Sequence, residues 1–199
     1  SGDELETLAG SFNKMADDLQ EYMVELQRTT AEKTRLIKEL EIAKGIQRSF
    51  LPEKEPEISG IDIAASNVAA TEVGGDFYDF IPIAKDQWGL TIADVAGKGV
   101  PAALFMALSR TLVRASTTGN PNVSESIEKA NELICADAKT GMFVTLFYAI
   151  LDAKKKRLRY VNAGHNPPLL LKQQKGNTVL LKAKGIALGV IENIELEEE

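Results

Sequence analysis

Two aspartates, Asp76 and Asp94, are the residues of this sequence best suited to carry chemistry, because each stands beside glycines and beside β-type sequence. The segments 77–83 and 88–93 are rich in residues that favour strands, and a polar turn separates them. We therefore predict a β-hairpin whose far ends meet at one edge of a sheet. In that hairpin, Asp76 and Asp94 face each other.

Two carboxylates held side by side repel each other, and a proton or a cation must offset that repulsion. Neither aspartate has a cysteine or a histidine near it in the sequence, so an oxygen-seeking cation such as Mn²⁺ or Mg²⁺ is expected. Gly74, Gly75, Gly97 and Gly99 flank the pair and allow the backbone to approach a metal and a phosphate closely. The alternative is that each aspartate only caps a turn.

The composition is that of a protein able to bury a core, since 44% of its 199 residues are hydrophobic and 26% are charged. The formal net charge is −6 and no basic stripe is present, so we expect protein partners and no nucleic acid. Cys135 is the only cysteine, which excludes a disulfide within the chain and fits a reducing, cytoplasmic compartment. No apolar run approaches the ~18 residues of a membrane span, so we expect no membrane contact by this chain.

The first part of the chain, residues 3 to 44, predicts one long helix with a coiled-coil seam. Apolar residues recur at alternating steps of three and four, and no proline interrupts them. Such a seam predicts a homodimer of parallel helices, although a single helix folded back on its own domain is the alternative. The two heptad positions hold Leu5, Phe12, Leu19, Leu26 and Leu40, and Leu8, Met15, Tyr22, Leu36 and Ala43.

The rest of the chain predicts an α+β sandwich with antiparallel sheets, because strands are followed by two adjacent helices and then by more strands. Gly45 and Pro52 are expected to end the long helix, whose apolar residues Ile46, Phe50 and Leu51 would anchor it. The predicted elements are a strand at 61–66, the hairpin, helices at 101–115 and 122–138, and strands at 143–151, 157–162, 169–172 and 178–181. The last two strands are predicted to join at a turn formed by Gly176 and Asn177.

Five short motifs, in this order, resemble the SpoIIE/RsbU-like branch of the metal-dependent (PPM) serine/threonine phosphatases. The resemblance implies a PPM-type α/β sandwich that uses two Mn²⁺ or Mg²⁺ ions. It also implies a phosphoprotein substrate, typically an anti-sigma-factor antagonist of the STAS type. The motifs lie at 43–52, 73–79, 93–99, 142–145 and 162–168.

By matching motifs, Asp76 and Asp94 correspond to metal-binding aspartates of the family, and the carbonyl of Val95 to a backbone ligand. No catalytic side chain is implied, because a metal-activated water attacks the phosphate. Asp79 is expected to support the loop, and His165, the only histidine, to fix its turn through ring hydrogen bonds.

The opening of the chain, from Asp3 to Leu19, resembles the last helix of a HAMP signalling module. It implies a cytoplasmic position beneath a membrane sensor, with a HAMP-end and coiled-coil linker at 1–51 and a phosphatase domain at 52–199. Family members carry two further metal aspartates in a terminal segment that this sequence, which stops at Glu199, does not contain. Weak metal binding and little turnover are therefore expected of the chain.

Two other classes of function fit some of these residues. One is a non-catalytic dimeric relay that binds a signalling partner without hydrolysing it. The other is an ATP-binding regulatory kinase, which the cluster of Asp94, Gly97 and Gly99 suggests, although the required asparagine-bearing helix and Asp-x-Gly spacing are missing. In the phosphatase hypothesis, a change in the coiled coil shifts the helix pair that follows Asp94 and so switches the site.

Overall fold

A computed structural model describes residues 2–69, 72–137, 141–172 and 177–199. The chain divides into two compact units between Ala43 and Lys44. None of the described helices combines the length and the apolar character needed to cross a membrane. The elements are α1 (Gly2–Phe50), β1 (Phe77–Ala84), β2 (Gln87–Val95), α2 (Gly99–Thr117), α3 (Val123–Asp137), β3 (Val144–Asp152), β4 (Arg157–Ala163), β5 (Leu169–Lys172) and β6 (Asn177–Leu180).

Helix α1 is 49 residues long and supplies all of the described first unit. The helix passes through Gly45, so the prediction that this glycine helps to end it is wrong; Pro52 follows shortly after its end at Phe50. Leu51 packs against the core of the second unit, but Ile46 is 56% exposed and is not the anchor that was predicted. Most seam residues of the first unit are exposed, namely Leu5, Leu8, Phe12, Met15, Leu19, Tyr22, Leu26 and Leu36.

The second unit contains a four-stranded antiparallel sheet in the order β1-β2-β3-β4. The predicted hairpin is confirmed, with Phe77 paired with Ala93 and Phe80 with Leu90. Strand β3 is the predicted buried strand, and it lies between β2 and β4. The strands β5 and β6 form a separate exposed pair, and Gly176 of their predicted turn lies outside the described residues.

One predicted strand does not form, and one predicted helix begins two residues earlier than expected, each for a physical reason. The segment 61–66 forms no strand, and Ile61 makes only a single bridge to Ile58. Alternating side chains are a local feature, whereas a β-strand also needs a neighbouring strand whose edge can accept its hydrogen bonds. Helix α2 begins at Gly99, so Pro101 is its third residue. Proline is tolerated there because N–H groups in the first turn have no partner within the helix.

The alternation of side chains gives the sheet two different faces. Phe77, Ile81, Ala93 and Val95 belong to the buried core cluster, which also includes residues of α2 and α3. Asp79 is buried on this face and forms ion pairs with two arginines of α2. Residues at the alternate positions, Asp94 among them, belong to the opposite face.

Candidate metal centre

Asp76 and Asp94 are brought together by the register of the β1–β2 hairpin. Phe77 pairs with Ala93, so the next residues outward, Asp76 and Asp94, are neighbours across the end of the ladder. Both residues line the same cavity, and the charge of Asp94 acts on Asp76. The juxtaposition predicted from the sequence is therefore present, although both residues are exposed and their role as metal ligands stays a prediction.

The electrostatics of this pair favour a cation. Desolvation raises the pKa of Asp76, and the neighbouring side chain of Asp94, through its like charge among other effects, raises that pKa further. No lysine or arginine forms an ion pair with either aspartate within the described ranges. A divalent cation between the two carboxylates would remove the repulsion and return the pKa of Asp76 towards its usual range.

Glycine suits the positions beside the aspartates for different structural reasons. A Cβ at Gly75 would lie 3.0 Å from the carbonyl oxygen of Val95, so a larger residue would crowd the proposed backbone ligand. Gly97 and Gly99 have φ angles of 109° and 71°, in the region that favours glycine. A Cβ at Gly74 would lie 3.2 Å from the Cβ of Ala69, which is a tight contact.

The last turns of α1 hold the loop that carries Asp76, and the sequence alone did not reveal this contact. The Gln47 side-chain amide donates a hydrogen bond to the carbonyl of Gly74 (2.6 Å), and the Gly74 N–H donates one to the side-chain oxygen of Gln47 (3.0 Å). The Asn67 amide donates to the carbonyl of Asp76 at 3.0 Å. Gln47 lies within the first family-like motif, which was the only available signal for it.

The prediction that the ring of His165 fixes its own turn is wrong, because the ring contacts a neighbouring strand instead. The Asn162 side chain fixes its turn, accepting a hydrogen bond from the His165 N–H (2.7 Å) and donating one to its carbonyl (2.9 Å). The ring Nδ1 of His165 lies 2.9 Å from the hydroxyl oxygen of Thr145. That hydroxyl oxygen lies 3.3 Å from the carbonyl oxygen of Asp94. Burial lowers the pKa of His165, while the charge of Asp94 acts in the opposite direction.

Two adjoining cavities open beside the aspartates. One, of about 290 Å³, is lined by both aspartates, by Val95 and by the glycines around them. The other, of about 240 Å³, is lined by Asp76, Gln47 and Asn67 and by two basic residues, Lys44 and Arg48. The second cavity therefore places two basic residues near Asp76, in a lining that also includes Glu72 and apolar side chains.

The donors fit a hard divalent cation in kind. Two carboxylates and the Val95 carbonyl are oxygen ligands, the type that Mn²⁺ and Mg²⁺ prefer. Within the residues that the structure describes, no cluster of three or more histidine, cysteine, aspartate or glutamate side chains is present. Among the described residues, the candidate donors are therefore two neighbouring carboxylates and one backbone carbonyl, which line the same cavity.

Sequence comparison decides the family. The family model for Stage II sporulation protein E (SpoIIE) matches residues 84–199, which include Asp94 and Val95. The chain belongs to the SpoIIE family. Two relatives from Bacillus subtilis (strain 168) resemble it: phosphoserine phosphatase RsbU is 32% identical over 160 residues, with 80% of this chain and 48% of RsbU covered. Phosphoserine phosphatase RsbP is 32% identical over 165 residues, with 80% of this chain and 40% of RsbP covered.

This chain of the SpoIIE family spans about half, or less, of the length of these curated relatives. Solved structures share its fold. The SiaA-PP2C domain of Pseudomonas aeruginosa has a TM-score of 0.68 at 20% identity, covering 85% of this chain and 68% of that one. The PP2C phosphatase domain of SpoIIE from Bacillus subtilis has a TM-score of 0.54 at 18% identity, covering 64% and 38%. The predicted PPM-type α+β fold is confirmed.

Proposed function

We propose that this protein is the phosphatase domain of a signalling protein and removes phosphate from phosphoserine or phosphothreonine on a regulatory protein of the STAS type. The observation that carries the proposal is the pair of carboxylates, Asp76 and Asp94, which meet at the end of one hairpin and line one cavity together with Val95. Membership of a family whose relatives include phosphoserine phosphatases supports it.

Asp76, Asp94 and the Val95 carbonyl would hold the metal, either Mn²⁺ or Mg²⁺, with two ions in a complete site. When bound, the metal would neutralise phosphoryl oxygens and activate a water for in-line attack. Gly97 and Gly99 lead the chain from Asp94 into α2, whose start has no side-chain cap and no acidic residue in its first turn. The free N–H groups and the positive end of the helix dipole there favour the phosphoryl group.

Recognition of the phosphoprotein would use the two basic residues that line the second cavity. Lys44 and Arg48 are one helical turn apart on α1, and both line the cavity that contains Asp76. Neither forms an ion pair with the described residues, which leaves two cations beside the site of a chain with a net charge of −6. Their charge would attract a phosphorylated or acidic segment of the substrate.

Control of the enzyme would enter through the N-terminal helix. We propose that the exposed seam pairs with a second copy, and that a HAMP module and a membrane sensor lie upstream in the cytoplasmic signalling path. Gln47, on the last turns of α1, bonds the Gly74 peptide two residues before Asp76. A displacement of those turns would therefore move a proposed ligand.

Mn²⁺ titration calorimetry on the chain and on Asp94→Asn tests the metal site. We expect Mn²⁺ binding by the wild-type chain and at least tenfold weaker binding by the variant, because the variant loses a proposed carboxylate ligand. Asp62→Asn removes an exposed carboxylate elsewhere and serves as the matched control, with unchanged binding. Equal heats for wild type and Asp94→Asn would overturn the proposed site.

A non-catalytic relay is the second candidate. The observation that favours it is the small number of candidate ligands, since the described residues supply only two neighbouring carboxylates. Phosphate release from a phosphoserine peptide, with Mn²⁺ present, separates the two functions. Metal-dependent release that Asp94→Asn abolishes supports the phosphatase, whereas peptide binding without release supports the relay.

A further inference from the structure

We propose that Thr145 and His165 form a positioning pair that holds the peptide between Asp94 and Val95 in the orientation required for metal binding. The pair acts through hydrogen bonds to the backbone, and neither side chain is itself a metal ligand. This inference rests on the proposed function, because it assigns to the pair a role in the same metal site.

The β2–β3 register provides the first step. Thr145 is the direct partner of Asp94 in this ladder, and its hydroxyl lies 3.3 Å from the Asp94 carbonyl oxygen. That carbonyl belongs to the peptide group joining Asp94 to Val95. Its orientation therefore affects both the backbone that carries the Asp94 carboxylate and the position of the Val95 carbonyl.

The hydroxyl of Thr145 has a single proton, and this limits how the contacts can be arranged. If the hydroxyl donates that proton to the Asp94 carbonyl, it must accept a hydrogen bond from the His165 ring at 2.9 Å. The ring of His165 must then carry a proton on Nδ1. The opposite tautomer would take the hydroxyl proton and leave the Asp94 carbonyl without this bond.

The other end of the pair is held by two hydrogen bonds between the side chain of Asn162 and the backbone of His165. Asn162 is only 4% exposed, and its side-chain amide makes one hydrogen bond to the His165 N–H and one to the His165 carbonyl. A continuous series of bonds therefore runs from Asn162 on β4, through His165 and Thr145, to the peptide after Asp94. A histidine that only stabilised its own turn would need the Asn162 bonds and not the bond to Thr145.

The tautomer can be measured directly because the chain contains a single histidine. Long-range ¹H–¹⁵N NMR of the imidazole should show the proton on Nδ1 in the wild-type chain and in Thr145→Ser, which keeps the hydroxyl. Thr145→Val, which keeps the shape but lacks the hydroxyl, should lose this tautomer. A proton on Nε2 in the wild type, or an unchanged spectrum in Thr145→Val, would contradict the proposal.

Mn²⁺ calorimetry on the same proteins tests the positioning role. Loss of an outer partner of a metal ligand typically weakens metal binding by about 10–100-fold, so we expect roughly a tenfold loss in Thr145→Val and recovery in Thr145→Ser. Thermal unfolding of the metal-free proteins shows whether each variant is folded. Equal Mn²⁺ affinity of wild type and Thr145→Val would overturn this inference alone, whereas no Mn²⁺ binding by the wild type would overturn the proposed function and this inference with it.

Discussion

The two faces of the β1–β2 hairpin carry aspartates in opposite electrostatic situations. Asp79 is buried against α2, where its carboxylate lies 3.0 Å from the Arg110 guanidinium and 2.7 Å from that of Arg114. Asp76 and Asp94 lie at the end of the same hairpin, and no basic side chain forms an ion pair with them in the part of the chain described.

The comparison shows how one residue type serves two purposes in one hairpin. A carboxylate with two arginine partners is neutralised by the protein itself and joins a strand to a helix. Two neighbouring carboxylates without a basic partner repel each other, and a bound cation would remove that repulsion. Burial, therefore, is less informative about function here than the absence of a compensating charge.

The largest expected effect is the loss of stability when Asp79, which pairs with two arginines, is replaced. Asp79→Ala should lower the free energy of unfolding by about 3 kcal/mol, because removal of one member of a buried ion pair leaves its partners uncompensated. Partial exposure of Arg114 keeps this value at the lower end of the usual range. Urea denaturation measures the change. Asp62→Ala is the exposed control, and an equal effect in both variants would mean that the arginine pairs contribute nothing.

A smaller loss of stability is expected from replacing Gln47, through which α1 holds the loop that carries Asp76. Gln47→Leu removes two hydrogen bonds to Gly74 and leaves partly buried polar groups unpaired, so it should cost about 1–2 kcal/mol in urea unfolding. Mn²⁺ binding should weaken several-fold in the folded variant. Ser49→Ala, on the same turn, is the control. Full metal affinity in Gln47→Leu would show that the contact does not position Asp76.

The pH dependence of metal-free stability tests the aspartate pair that lacks a basic partner among the described residues. The pKa of Asp76 is raised in the folded chain, so its contribution is fully present below the unfolded-state pKa of about 3.9 and is lost as pH rises through the raised value. Asp76→Asn lacks this dependence. Its stability relative to wild type should therefore increase between pH 4 and pH 7 in thermal unfolding without metal. A constant difference across that range would contradict the shift.

The smallest effect is expected from the two basic residues that line the second cavity. Arg48→Glu reverses a charge that lines the cavity with Asp76, so binding of a phosphoserine peptide with Mn²⁺ present should weaken by roughly three- to tenfold, and more at low salt. Fluorescence anisotropy measures this binding. Lys85→Glu makes the same reversal in the turn at the far end of the hairpin. If both variants weaken binding equally, only net charge matters.

Local sequence was sufficient to predict the hairpin and the meeting of its two aspartates. Alternating side chains and a short polar turn specify which residues of two adjacent strands pair, and the register follows with little help from the rest of the chain. Local signals failed at 61–66, where alternation had no neighbouring strand to pair with, and at Gly45, where one glycine did not end a long helix.

The sequence by itself therefore determined the ligand candidates, the family resemblance and the order of strands and helices, all of which depend on residues close together in the chain. Only the tertiary structure decided that Gln47 holds Gly74, that Arg110 and Arg114 neutralise Asp79, and that His165 contacts Thr145. These contacts join residues far apart in sequence. They depend on the packing of several elements at once, and no local pattern of side chains records that packing.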